Sequence, residues 1–367
     1  MSDRLCVMVL FGGRSTEHEV SIRSATSVIN ALRSSRYEVI PVAISRSGKW
    51  LSPVESARLL PETRTPLSTV EVALISDGST RSLISVTGGD ETATKPVDVV
   101  FPVLHGTFGE DGTVQGLLEL ADVPYVGSGV LGSSVAMDKD VCKRLLREAD
   151  LPTGTSMVLH RVDWRDGRDE LLAAVEARFD FPVFSKPANS GSSVGIHKVH
   201  DAGELPGFLD EAFSYDRKVL VEECIVGREL ECSVLGYCNP RASVVGEVIP
   251  GGEFYDYAEK YLKDTTRLIV PAELPDKISR CVRELAVCAF KVCQCEGLAR
   301  VDFFCEADTQ RVLINEVNTM PGFTSISMYP KLWEVSGLSY SELVDELIGL
   351  AIERHRDRSQ DRLSYQD

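Results

Sequence analysis

GLARVDFF at 297–304 and VLINEVN at 312–318 decide how this chain is read. Both alternate apolar or β-branched residues with polar ones at period two, the pattern of half-buried strands. Side chains two apart on a strand share a face. Arg300 and Asp302 therefore point one way with Val301 and Phe303 opposed, and Glu316 and Asn318 share a face with Val317 opposed. If the two strands are neighbours, one wall carries a guanidinium, carboxylates and a carboxamide over an apolar back. Mg²⁺ suits such a set, because it is usually held by one or two carboxylates together with substrate phosphates. For either strand alone, a surface salt-bridge ladder is the commoner explanation.

Working outward, FPVFSKPANSGSSVG at 181–195 reads as a strand ending in Lys186, a Gly/Ser loop, and a second strand. Glycines let backbone N–H groups approach an anion, the hydroxyls of Ser192 and Ser193 add donors, and the lysine supplies a point charge. A nucleotide phosphate fits this loop. It is not a P-loop, since G-x-x-x-x-G-K-[ST] is absent and a strand-like run follows where a helix would be needed. Lys139 heads a helix after Met137 and Asp138, and Lys260 lies in YDYAEKY at 255–261. A single lysine is more often a solvated surface charge, and the glycine loop alone is equally a hairpin turn. Joined to the acidic wall, these features favour a site for ATP and Mg²⁺.

Near the N-terminus, FGGRSTEHEV at 11–20 is a strand, a tight turn and a helix start. Thr16 and Glu19 have the spacing of a capping box, which explains Glu19 structurally. Glu17 has no such duty, and it stands at the C-terminal edge of the first strand of an α/β sheet, where ligands usually bind. Its plain alternative is a first-turn acid favoured by the helix dipole. LHGTFGEDG at 104–112 ends another strand in a polar glycine loop, where His105 is either a ligand contact or a hydrogen-bonded structural histidine.

The 367 residues allow two or three domains, and 43% hydrophobic content is ordinary for a globular protein. No apolar run approaches a membrane span, and the first residues lead into a strand with no signal-peptide core, so a cytoplasmic protein is expected. A net charge of −16 opposes tight binding to nucleic acid or anionic membrane. The ten cysteines contain no C-x-x-C pair and read as small buried hydrophobes of a reducing compartment, Cys281, Cys288 and Cys293 within a helix. Strands at 5–11, 39–44 and 97–104 with a helix through Val20, Val28 and Leu32 predict a parallel α/β sheet. The polar stretch 52–95 predicts a surface hairpin with nothing catalytic. A helix over 133–149 opens a second, α+β region with strands at 182–185, 194–198 and 219–222. A third region, from about Gly227, combines strands at 229–235 and 243–249 with a helix through Ile278, Val282, Leu285, Ala286 and Ala289. The charged tail after Ile352 is expected to be frayed.

These residues resemble the D-alanine–D-alanine ligase family of ATP-grasp enzymes along nearly the whole chain. The resemblance is carried by FGGRSTEHEVSIRSA, LHGTFGEDGTVQG, YVGSGVLGSSVAMDK, FPVFSKPANSGSSVG, FYDYAEKY, GLARVDFF and INEVNTMPGFTSISMYP in the family's order. It implies an α/β and α+β fold of three-domain ATP-grasp architecture: an N-terminal parallel-sheet (pre-ATP-grasp) domain at 1–132, a central subdomain at 133–226 and a C-terminal subdomain at 227–367. It implies ATP-dependent joining of two D-alanine molecules through a D-alanyl phosphate, for peptidoglycan precursors. Phosphorylation is chemically necessary, because a carboxylate would otherwise have to expel oxide. By the same resemblance Asp302, Glu316 and Asn318 hold two Mg²⁺ ions, with Mn²⁺ as the alternative metal. Lys139 and Lys186 contact the α- and β-phosphates and Lys260 the γ-phosphate, with Ser192, Ser193 and Asn315 also in the nucleotide site. Glu222 and the backbone of Glu223 to Ile225 meet adenine, and Glu229 the ribose. Glu17 orients the first D-alanine's ammonium, and His105 lies near its carboxylate. Arg300 stabilises the transferring phosphoryl group and the tetrahedral adduct. Ser327 and the Met328 backbone take the second D-alanine's carboxylate. Glu17, Ser192 and Tyr261 form a set that closes a lid over the intermediate. A homodimer through the N-terminal domains is also implied.

Relatives making D-alanyl-D-lactate or D-alanyl-D-serine differ in the lid loop, and Tyr261 favours D-alanine as second substrate. Ser185 departs from the apolar residue expected before the loop lysine, which touches packing more than chemistry. A catalytically silent ATP-grasp binding protein would have lost metal ligands, yet Asp302, Glu316 and Asn318 are present. A nicotinamide-dependent oxidoreductase fails for want of G-x-G-x-x-G after the first strand.

Overall fold

The computed structural model describes residues 4–32, 36–61, 71–76, 81–86, 95–251 and 266–361. Strands Leu5–Gly12, Tyr37–Ile44 and Val99–Val103 form the expected parallel sheet, with the first strand in the middle. Every residue of the first strand after Leu5 is buried, as a parallel strand covered on both faces requires. Helix His18–Leu32 covers one face through Ala25, Val28, Ile29 and Leu32, and the far C-terminal helix Tyr340–Arg358 joins that core through Leu343, Val344, Leu347 and Ala351. The region 52–95 supplies the hairpin Val72–Ser76 with Arg81–Ser85, whose Leu83 is buried in the cluster on the sheet's other face.

The middle of the chain folds as an antiparallel sheet in the order Ser156–His160, Lys218–Glu223, Val183–Pro187, His197–Val199. The last region is a five-stranded antiparallel sheet running Arg267–Ile269, Arg241–Ile249, Gly227–Gly236, Gly297–Glu306, Val312–Asn318. Helix Asp276–Val292 packs behind it through Val282, Ala286, Ala289 and Phe290. Gly297–Glu306 and Val312–Asn318 are neighbours, with Arg300 opposite Asn318, Asp302 opposite Glu316, and Val301 against Val317 on the apolar back.

Several sequence expectations need correcting. The helix over 133–149 is two helices, Val130–Met137 and Lys139–Glu148, because Asp138 turns extended and its carboxylate accepts the N–H groups of Asp140 and Val141. It acts as a fresh N-cap. The capping box at Thr16 and Glu19 gives way to a helix beginning at His18, with Ser15 Oγ accepting the Glu17 N–H and Glu19 paired with Arg46. The strand expected at 194–198 is the shorter His197–Val199. Cys288 is exposed and Cys281 half-buried, and Cys293 follows the last helical turn. Among the described residues after Ile352 the helix continues to Arg358 and buries Arg354, where fraying was expected. Arg354 lies three residues beyond Ala351, on the apolar stripe of that helix, so its charge hid a core position.

Candidate active site

A cleft of about 810 Å³ lies where the three sheets converge. Glu17, His105, Lys139, Ser192, Ser193, Arg300, Glu316, Asn318, Ser327 and Met328 all line it. The acidic wall is thus assembled opposite the end of the first parallel strand. Asp302 sits behind Arg300, both of its oxygens taken by that guanidinium at 2.7 Å, and Asn318 Nδ2 donates to it at 3.0 Å. Glu231, one strand over, approaches the same guanidinium at 3.0 Å. Burial alone would lower the Arg300 pKa, but Asp302 and Glu231 hold it well above the usual arginine value.

The ladder register shifts between Asp302 and Phe303, which leaves Asn315 as the extra residue of a bulge. Strict alternation therefore breaks at Asn315, though Glu316 and Asn318 keep the wall face. Bulges beside active sites re-aim side chains in this way.

Glu17 is buried and accepts a short hydrogen bond from Ser192 Oγ. Gly106 and Gly191 pack against its carboxylate, where a Cβ at Gly191 would lie 2.7 Å from Oε2. A side chain there would displace the Glu17 carboxylate, so the loop glycines serve Glu17 as much as any anion. Ser192 and Ser193 themselves adopt φ of 47° and 58°, a left-handed conformation uncommon for residues with a Cβ and concentrated at functional sites. Lys139 Nζ donates to the Ser190 carbonyl at 2.6 Å, tying the helix start to the loop.

His105 is a hydrogen-bonded histidine. Nδ1 meets the Met320 carbonyl at 2.9 Å and must donate, so Nε2 accepts from the Ser24 hydroxyl at 3.0 Å. Burial keeps the ring neutral by lowering its pKa. Both nitrogens are occupied, so His105 contributes by holding the 320–323 turn in place. Glu110 does the same from its own loop: its oxygens accept the N–H groups of Gly106 and Met320 at 2.8 Å each. Burial and the Glu17 carboxylate push the Glu110 pKa to about 8.

Lys186 is paired with Glu222 at 2.8 Å, and Lys143 approaches the same carboxylate at 3.1 Å. Burial alone would raise the Glu222 pKa, but Lys143 and Lys186 hold it at about 2. Stability from this triad is therefore fully present above the ordinary glutamate pKa of roughly 4.5 and is lost as pH falls through about 2. The difference in urea midpoint between wild type and Glu222→Gln is expected to shrink steadily as pH is lowered across that window. A constant difference would show that the triad does not titrate there. Glu223 accepts the Thr155 N–H at 2.6 Å, and Ile225 packs over Gly154. Burial alone would lower the Lys186 pKa, but Glu222 raises it, with Glu316 and Glu229 adding through space. Lys260 and Tyr261, with the rest of 255–261, lie outside the described residues.

Ser327 precedes helix Met328–Val335, and its hydroxyl receives the Thr324 N–H at 3.1 Å. No side chain caps this helix start, which suits a carboxylate there. Among the described residues no group of three or more His, Cys, Asp or Glu side chains is arranged to cage a metal. Glu316 and Asn318 line the cleft and Asp302 stands behind them on Arg300, an oxygen set of the sparse kind that Mg²⁺ shares with phosphates. Sequence reasoning missed Glu110, Lys143 and Glu231. Lys143 stands four residues from Lys139 on one helix, and Glu231 two from Glu229 on one strand, so periodicity marked both. Glu110 sits in an aperiodic loop and had no such signal.

Family models described as D-ala D-ala ligase N-terminus and C-terminus match residues 6–128 and 145–349. The chain is 47% identical to D-alanine--D-alanine ligase of Natranaerobius thermophilus over 364 residues, 99% of both chains. It is 49% identical to the ligase of that name from Solibacter usitatus, over 98% of this chain and 99% of the other. The D-alanine-D-alanine ligase from Coxiella burnetii superposes with a TM-score of 0.85 at 36% identity, over 98% of this chain and 97% of that one. The VanG D-Ala:D-Ser ligase from Enterococcus faecalis gives 0.83 at 37% identity, over 95% of this chain and 99% of that one.

Proposed function

The chain belongs to the D-alanine–D-alanine ligase family, and from that premise we propose which of its residues carry the reaction. It is an ATP-dependent ligase that joins two D-alanine molecules to D-alanyl-D-alanine through a D-alanyl phosphate, supplying peptidoglycan precursors. One observation carries the assignment of roles: Glu17, the glycine loop and the Arg300 wall line one cleft.

Glu17 holds the ammonium of the first D-alanine, and Ser192, already bonded to Glu17, ties the glycine loop to that substrate. His105 and Glu110 fix the 320–323 turn that floors the site. Arg300 faces the transferring phosphoryl group and then the tetrahedral adduct, preorganised by Asp302 and Glu231 so that no reorientation is needed as charge develops. Lys139, Lys186 and Lys260 take the α-, β- and γ-phosphates. Glu222 fixes Lys186 and Lys143 and, with the backbone of Glu223 to Ile225, meets adenine, and Glu229 takes the ribose. Asp302, Glu316 and Asn318 hold Mg²⁺, two ions in this reading, with Asn315 and Ser193 completing the nucleotide site. Bound Mg²⁺ would supply positive charge that offsets the phosphates' negative charge. Ser327 and the Met328 N–H take the second carboxylate, and Tyr261 joins Glu17 and Ser192 in a lid that excludes water.

Three domains at 1–132, 133–226 and 227–367, a homodimer through the N-terminal domains, and a cytoplasmic location complete the proposal. No helix among the described residues is long and apolar enough to cross a membrane.

The test is phosphate release from ATP and Mg²⁺ with D-alanine, L-alanine, D-lactate plus D-alanine, and D-serine plus D-alanine, with products identified by mass. Release with D-alanine alone and a dialanine product are expected. A dominant D-alanyl-D-serine or depsipeptide product would overturn the role given to Tyr261. ATP binding without release would leave a silent binding protein.

A further inference from the structure

A second hollow, of about 530 Å³, lies outside the cleft and is lined by Asp138, His160, Arg161, Val162, Arg165, Asn189, Arg217 and Lys218. In a chain of net charge −16, this lining is cationic. Its one carboxylate, Asp138, is already neutralised by Lys218 at 2.7 Å. Arg161, Arg165 and Arg217 make no ion pair among the described residues, and Arg161 Nε is buried without a hydrogen-bond partner. The backbone fixes two of these arginines side by side, the Arg161 N–H donating to the Arg217 carbonyl at 2.8 Å.

The buried Arg161 Nε–H lacks an acceptor, which is unfavourable, and the three arginines line the hollow with no carboxylate paired to any of them among the described residues. A multiply charged oxyanion would supply the missing acceptor and the counter-charge, since each guanidinium offers a planar fork of donors to phosphate oxygens. At about 530 Å³ the hollow has space for more than one phosphate group. We propose that it is a second anion site, built for a chain of two or three linked phosphates and separate from the ATP-binding cleft. The two spaces share no lining residue. They are back to back: Asp138 and Asn189 line the hollow, while the next residues, Lys139 and Ser190, line the cleft.

The test uses inorganic tripolyphosphate titrated into the full-length enzyme by calorimetry, with EDTA present, at about 0.15 M salt to suppress unspecific attraction. Wild type is expected to show a saturable class of sites whose affinity falls roughly tenfold or more in Arg161→Ser/Arg217→Ser, with kcat and the KM for ATP unchanged. Hydrogen exchange is expected to slow at 160–165 and 216–218 when tripolyphosphate binds. Displacement by metal-free ATP would assign the site to a nucleotide's phosphate tail, and its absence to inorganic polyphosphate. An affinity unchanged in the double variant, or protection confined to 186–196, would overturn the proposal.

Discussion

Arg300→Lys is expected to lower kcat by roughly 10²–10³-fold, the loss typical of removing one preorganised donor from a developing oxyanion, with a urea midpoint close to that of wild type. Arginine here is a fixed fork. Nε and Nη2, one edge of the fork, both donate to Asp302 at 2.7 Å, and Glu231 stands at 3.0 Å. Lysine keeps the positive charge between the two carboxylates, so neither is left bare in a buried wall, but it cannot hold Asp302 with one edge and face the reacting phosphoryl group with another. The loss therefore falls on the transition state more than on substrate binding. Steady-state kinetics for ATP and D-alanine, with a single-turnover measurement of phosphate release, check this. An unchanged kcat with a raised KM for ATP would reduce Arg300 to a ground-state phosphate contact.

The same residue shows how far sequence reasoning reached. Period two alone put Arg300, Asp302, Glu316 and Asn318 on one wall, and the strand register bears that out. It could not show that Asp302 spends both oxygens on Arg300, because rotamers and hydrogen bonds follow from packing that no spacing encodes. The bulge at Asn315 escaped for a related reason: one extra residue in a ladder leaves the apolar pattern on either side intact. Local chemistry also hid the break at Asp138. A helix-compatible run continues through it, and only the capping geometry shows that one helix ends and another begins. Spacing leaves His105 open between two roles, and its hydrogen bond to the Met320 carbonyl spans 215 residues of sequence. Long-range pairings of this kind hold the site together and are the part of it that local patterns cannot carry.

Arg354→Leu is expected to destabilise the protein by about 3–5 kcal/mol, the usual result of removing one partner from a buried charged network. Arg354 is 3% exposed. Its guanidinium donates to the Gly127 carbonyl and to the Tyr125 carbonyl at 3.2 Å, reaches Glu296 at 3.2 Å, and lies 4.2 Å from the centre of the Tyr125 ring. One side chain of the last helix thus ties down the end of the N-terminal sheet and the turn that leads into Gly297–Glu306. Glu296 also accepts the Gly129 N–H at 3.1 Å, so the network fixes the entry to helix Val130–Met137 as well. Leucine restores apolar volume on a stripe that is otherwise apolar, yet it leaves buried carbonyls and a carboxylate without their donor. Urea denaturation followed by circular dichroism is the measurement. A shift below about 1 kcal/mol, the size of a surface salt bridge, would mean that water replaces the guanidinium. The loss should also reach the chemistry: the strand that begins at Gly297 carries Arg300 and Asp302, and a loosened junction at 125–129 removes one of its two fixed ends. A KM for ATP that rises in step with the lost stability would trace that path, whereas an unstable variant with unchanged kinetics would confine Arg354 to holding residues 125–127 and Glu296 in place.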